Sequence, residues 1–382
     1  IVDAVWVLFL LQRGFSLAQV GVAEGFFHVV SMCCEIPSGM LSDMMGRRKT
    51  LILSGIISAA GSFCMIATDY FWVILIAMGL NAFSYNLVSG TREALTYDSL
   101  LEGGQEERYL TVSSTQENIY LGIFAMTNLL SVVTVALGYR KAYFISIVQG
   151  ILSSFVAMRL SEANVGRENK KEKLTCADIR REIILYTGQS LRFLKNNLPV
   201  CRRMMLGGIV AAGCYVVNMM MQEHLVSCGL KAGWIGIPLL CISLFSMAGA
   251  VFAGKTEQVQ LKKLMFAGSL AAGFFIALSS SPAVVVSVFA AGMAHGAEEV
   301  LMLRIESENQ KVFSSEIRAT MVSVSSMMYS IFMVILSPLT GWAVERLSIE
   351  TAFAGLGILV AGVGMILCWK PESSVDKYSR KL

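Results

Sequence analysis

Eleven long apolar runs, joined by short polar connections, limit what this chain can fold into more than any other feature. They fall at about 19–41, 51–67, 71–92, 111–137, 141–160, 204–223, 232–253, 263–280, 282–303, 319–343 and 350–369, after a shorter run at 1–11. A helix needs about 20 apolar residues to cross the hydrocarbon core of a bilayer, and in lipid each backbone amide must find its partner inside the helix. The chain is 55% hydrophobic and 15% charged, against about 25% charged in a soluble domain. A large soluble enzyme would interleave charged surface helices between the apolar ones, and none is found here. Residues Ile1 to Leu11 are too few to span and have neither an initiator Met nor a basic flank. They read as the second half of a first membrane helix. The expected fold is all-α and integral to the membrane: twelve transmembrane helices, the first partial, in two pseudo-symmetric six-helix bundles.

The polar stretch Ser161 to Arg203 divides the spans six and six. It gives an N-terminal lobe at 1–160, a linker at 161–203, a C-terminal lobe at 204–370 and a tail at 371–382. If the connections alternate sides, all but five of the 31 Lys and Arg fall on the side of the loop Arg47-Arg48-Lys49. The five exceptions are Arg13, Arg140, Lys141, Lys231 and Arg346. That asymmetry makes the first side, with linker and tail, cytoplasmic. The net charge of +4 then reports topology and contact with anionic lipid, and nucleic acid is not an expected partner. In the linker, Ile179, Ile183, Ile184, Leu191 and Leu194 recur at roughly helical spacing. This pattern fits either a basic amphipathic helix on the inner membrane surface or a solvated tether. The nine cysteines form no spaced framework and imply no disulfide.

Pieces of the first half recur in the second. SGTREALTYDS (Ser89 to Ser99) aligns with HGAEEVLMLRI (His295 to Ile305), and ERYLTVSS (Glu107 to Ser114) resembles EIRATMVSVSS (Glu316 to Ser326). The loop GMLSDMMGRRKT has a worn counterpart in GKTEQVQLKKL, where Asp43 matches Glu257 and Lys49 matches Lys263. Two same-sense six-helix halves are a known transporter plan. The repeat inverts charge, since Arg92 aligns with Glu298 and Asp98 with Arg304. Opposite charges could therefore pair across a cytoplasmic rim, or each could pair inside its own lobe.

GMLSDMMGRRKT (Gly39 to Thr50) resembles the loop motif G-x-L-x-D-x-x-G-R-[RK]-[RK] of the major facilitator superfamily, here of bacterial type, between the second and third helices. The resemblance covers essentially the whole chain. It implies a conformational latch made by Asp43 and Arg47 with Gly39, Gly46, Arg48 and Asp98. On physical grounds Gly39 lets a neighbouring helix pack closely, and Asp43 is expected near the start of the third helix, where the dipole favours a carboxylate. The fifth helix, which reads ENIYLGIFAMTNLL (Glu117 to Leu130), lacks the glycine-proline-rich signature of the superfamily's drug–proton antiporters.

Ionisable groups inside a membrane are costly and are default functional candidates. Asp3, Arg92, Gln116 and Glu117 are candidates for substrate or coupling in the first half, and Tyr215, Asn218 and Gln222, at i, i+3 and i+7, in the second. His295 with Glu298 and Glu299 lacks further ligands in the sequence, so no metal site is expected, and no cofactor. No nucleophile–base pair supports an enzyme. The expected activity is gradient-driven transport of a small molecule through the cytoplasmic membrane, by a monomer in contact with lipid. Proton-coupled efflux is the first direction, with uptake of a metabolite or sugar, or a non-transporting sensor, as alternatives.

Overall fold

A computed structural model describes residues 5–161, 192–313 and 318–369, with two isolated positions in the linker. Besides a helical stretch at 192–196, twelve α-helices lie among the described residues. They are α1 Trp6–Gln12, α2 Leu17–Met45, α3 Arg47–Ala67, α4 Phe71–Glu102, α5 Tyr109–Leu137, α6 Tyr139–Ala157, α7 Leu198–Ser227, α8 Gly236–Lys255, α9 Leu261–Leu278, α10 Val284–Gln310, α11 Arg318–Arg346 and α12 Ile349–Trp369. Among the described residues, nine helices are long and apolar enough to cross a membrane.

The hydropathy runs mark where lipid ends rather than where helices end. α4 continues to Glu102 and α10 to Gln310, well past the apolar limits at 92 and 303. At 32 residues, α4 is about 48 Å long, against a hydrocarbon core of about 30 Å. Its polar last turns, with Arg92, Asp98 and Glu102, still consist of adequate helix formers and run on beyond the lipid.

The described residues form two compact units. One holds the chain up to Tyr186 together with Lys231–Ile237, and the other holds Thr187–Leu230 and the residues from Pro238 onward. Both units use glycines to bring helices together. In the first, α3 meets α6 at Gly55 and Gly150: a Cβ on Gly55 would stand 2.6 Å from the Gly150 carbonyl. In the second, α9 meets α12 at Gly273 and Gly357, where the corresponding distance from Gly357 to the Gly273 carbonyl is 2.3 Å. The third and sixth helices of each half thus pack alike, as a duplicated bundle requires.

The first unit also repeats a corner within itself. Gly46 joins α2 to α3 at φ 92° and ψ 152°, and Gly138 joins α5 to α6 at φ 83° and ψ 154°. Only glycine adopts this region readily. The sequences are GRRK and GYRK, a likeness that fits three-helix repeats nested inside each half.

Arg13 ties the opposite end of the first unit. Its guanidinium bonds Asp69 at 2.9 Å and donates to the carbonyls of Met65 and Thr68. It also lies 5.3 Å from the Phe15 ring centroid and 5.2 Å from that of Tyr139. Those carbonyls close the negative end of α3, where a cation is favoured. The Arg13 side chain is 2% exposed while that of Asp69 is 62% exposed, so the buried carbonyls and rings contribute more than the ion pair. We expect Arg13→Met to cost about 2–4 kcal/mol and to lower the thermal unfolding midpoint in detergent by roughly 2–5 °C. An unchanged midpoint would refute this assignment.

The expected linker helix falls mostly outside the described residues, which include neither Ile179, Ile183, Ile184 nor Leu191. At its described end, residues 192–196 are helical, and Leu194 is buried with Val200, Met204, Phe313 and Met321. That turn covers the second unit, not lipid.

Candidate functional site

The corner after α2 gathers charges from three helices. Arg47 opens α3 and bonds Asp43 at 2.6 Å and the Ser42 hydroxyl at 3.0 Å, both in the last turn of α2. Its Nε lies 3.6 Å from an Asp98 carboxylate oxygen on α4. Ser42 in turn accepts from Thr91 of α4 at 2.8 Å. Arg48 reaches away from this cluster and donates to the Met158 carbonyl, just past α6, at 2.6 Å. Gly46 supplies the turn that lets α3 start one residue after α2 stops.

Two expectations for this corner need correction. Asp43 does not start α3. It sits in the last turn of α2, where the helix dipole disfavours a carboxylate, just as Arg47 sits at the disfavoured end of α3. Each group offsets the other's unfavourable field, which explains their short contact. Gly39 is not a point of close packing either, because a Cβ there would meet nothing within 4 Å among the described residues.

The second unit builds the equivalent corner with the charge reversed. Arg304 stands where Asp98 stands in the first half, and it is 7% exposed. Its guanidinium donates to the carbonyls of Glu257 and Val259, each at 3.4 Å, in the loop between α8 and α9. Nearby, Arg203 of α7 donates to Asn309 of α10 at 2.6 Å. Asp98 and Arg304 thus each have a partner inside their own unit, the second of the two arrangements left open by the sequence.

The other candidates separate into several fates. Asp3 lies outside the described residues, and Glu117 lies on α5 with its side chain outside them. Gln116 donates to the Thr96 hydroxyl at 3.1 Å, and Thr96 bonds back to the Arg92 carbonyl at 2.9 Å. These bonds join α5 to α4, so Gln116 holds the two helices together. On α7, Gln222 is 4% exposed, Asn218 is half-buried and Tyr215 is 36% exposed. The predicted polar face therefore runs from the inside of the unit toward its edge and does not form one open surface.

Sequence reasoning missed a buried pair on α2. Glu24 and His28 lie 3.3 Å apart, and both are buried within the first unit. The spacing E-G-F-F-H within an apolar run was the available signal, since residues at i and i+4 share a helix face. A second miss joins distant parts of the chain. Cys214, in the middle of α7, comes beside His295 and Glu298 of α10, with ligand atoms within 4.8 Å of one another. The expectation that His295 had no further ligand counted only neighbours in sequence.

The string GAVFAGKT, Gly249 to Thr256, spells the phosphate-loop pattern G-x-x-x-x-G-K-T. It does not form that loop. α8 carries it as continuous helix to Lys255, so its amides are engaged along the helix and no strand-to-helix turn exists to cradle phosphate. Gly249 serves packing, since its Cβ would stand 2.4 Å from the Gly296 carbonyl of α10.

Comparison with known proteins points one way. The sequence profile of the Major Facilitator Superfamily matches residues 2–309. An uncharacterized transporter of Buchnera aphidicola subsp. Schizaphis graminum is 26% identical over 173 residues, covering 43% of this chain and 41% of that protein. The inner membrane transport protein YajR of Escherichia coli K12 is 38% identical over 69 residues, covering 18% and 15%. The chain thus spans less than half the length of either curated relative. Among solved structures, the nucleoside transporter NupG superposes with a TM-score of 0.72 at 14% identity over 95% of this chain and 91% of that one. A D-xylose-proton symporter gives 0.67 at 12% identity over 98% and 93%. At these identities the structural likeness speaks to fold.

Proposed function

The chain belongs to the Major Facilitator Superfamily, and from that premise we propose that it moves a small molecule across a membrane by alternating access, driven by a proton gradient. The observation that carries the coupling is the Glu24–His28 pair. A carboxylate and an imidazole 3.3 Å apart, buried in a membrane helix, are expensive to keep unless they are used. They can share or pass a proton without a bare charge entering lipid. The Arg47 corner supports the conformational part, as a multi-helix joint that can be made in one state and broken in another. Export against proton entry is the direction we assign. The setting is the cytoplasmic membrane, with the basic loops inside and a single chain as the working unit.

The test is reconstitution into proteoliposomes with a solute panel that includes nucleosides, pentoses, dipeptides and amphipathic dyes. A transported solute should drive protons in the opposite direction, measured by an internal pH indicator. Glu24→Gln should reduce pH-driven accumulation at least tenfold while solute exchange at equal pH survives. Accumulation at the wild-type level in that variant would remove Glu24 from coupling. Solute entering together with protons would reverse the assigned direction.

A further inference from the structure

We infer that the middle of the second unit holds a binding site for one transition-metal dication of the zinc class, formed by the Cys214 sulfur, the His295 imidazole and the Glu298 carboxylate. Cys214 is fully buried halfway along α7. His295 and Glu298 lie one turn apart on α10, with Nδ1 3.1 Å from the carboxylate. All three ligand atoms fall within 4.8 Å of one another. In a tetrahedral zinc site, ligand atoms are about 3.4–3.6 Å apart, so small side-chain rotations would close the set.

Two further observations favour a ligand over a self-contained polar cluster. The Glu298 carboxylate lies 3.1 Å from His295 Nδ1 and within 4.8 Å of the Cys214 sulfur, so it already faces both neighbours. Yet His295 Nε2 is buried and has no hydrogen-bond partner, a costly condition for a ring nitrogen. A metal ion would turn the group so that one nitrogen ligates while the remaining contacts rearrange around it. The donor set of sulfur, nitrogen and oxygen selects zinc, cobalt or a similar ion over magnesium or calcium, which prefer oxygen alone. Binding would break the S–H bond, form S–metal, and release the thiol proton to water. A fourth position is open to water or to Glu299, which shares a helix face with His295 at i+4.

This inference does not depend on the transport reading, and its readout is binding, so either can fail alone. The experiment is titration of the purified full-length chain in detergent with CoCl2, followed by absorption. We expect about one Co2+ per chain in four-coordinate geometry, a near-ultraviolet thiolate-to-cobalt charge-transfer band, and loss of the band on adding zinc. Cys214→Ser should abolish the band, whereas Cys241→Ser on α8 should leave it intact. Should Cys214→Ser not yield monodisperse protein, His295→Gln decides the matter through a cobalt affinity reduced more than tenfold. Absence of the band in the unaltered chain, its survival in Cys214→Ser, or unchanged affinity in His295→Gln would overturn the site.

Discussion

Gly357→Leu should prevent the second unit from assembling, while Gly362→Leu on the same helix should be tolerated. A side chain at Gly357 would begin 2.3 Å from the Gly273 carbonyl and 3.2 Å from the Ala277 Cβ, whereas nothing lies within 4 Å of a Cβ at Gly362. The obstacle is backbone, which cannot rotate aside. Because a Cβ on Gly273 would likewise stand 2.4 Å from the Gly357 carbonyl, neither helix can yield without separating from the other. In lipid, helices associate mainly through close van der Waals packing and interhelical hydrogen bonds, so separation removes most of the association energy. We expect a loss above about 4 kcal/mol, seen as failure to elute as a monodisperse peak from size exclusion. The Gly362 variant should elute normally. Equal behaviour of the two would show that α9 and α12 do not meet at this glycine pair.

Arg47→Ala should leave the protein inserted but slow transport by roughly ten- to a hundredfold. Arg47 joins the ends of three helices through Asp43, Ser42 and Asp98, at 2.6, 3.0 and 3.6 Å. Asp43 is 64% exposed, so its pair with Arg47 is screened, and the energy rests on the more enclosed Ser42 and Asp98 contacts. About 1.5–3 kcal/mol for hydrogen bonds to a charged group becomes one to two decades in the balance between conformers when the contacts exist in one of them only. Arg47→Lys should recover little, since an ammonium cannot reach Asp43, Ser42 and Asp98 together as the guanidinium fork does. Transport rate per inserted molecule measures the effect, and a wild-type rate in Arg47→Ala would make the corner a simple topological anchor.

The helices were readable because lipid allows few alternatives: an apolar run of bilayer length has little choice but to be helix. The corner at Gly46 was readable because its backbone conformation all but demands glycine, and because its charges stand together in sequence. What was not readable depended on distance in the chain. Nothing near His295 announces Cys214, and nothing near Gly273 announces Gly357, since each partner comes from another helix. Hydropathy ends α4 and α10 too early because it reports the solvent rather than the backbone. The sequence pattern places Asp43 near the start of α3, but α2 runs through it to Met45, which reverses the sign of its dipole argument. Glu24 and His28 differ from these cases, since their i, i+4 spacing was visible within an apolar run.

Entrance counterflow tests the central claim most directly. Proteoliposomes preloaded with one unlabelled solute of the panel are diluted into trace labelled solute, without ATP or any ion gradient. A carrier that alternates its access must exchange one solute for the other, so at least one panel member should show a transient overshoot of label above equilibrium. That overshoot should be slowed at least tenfold in Arg47→Ala. Simple equilibration without overshoot for every solute, or flux that rises linearly without saturation, would contradict the account.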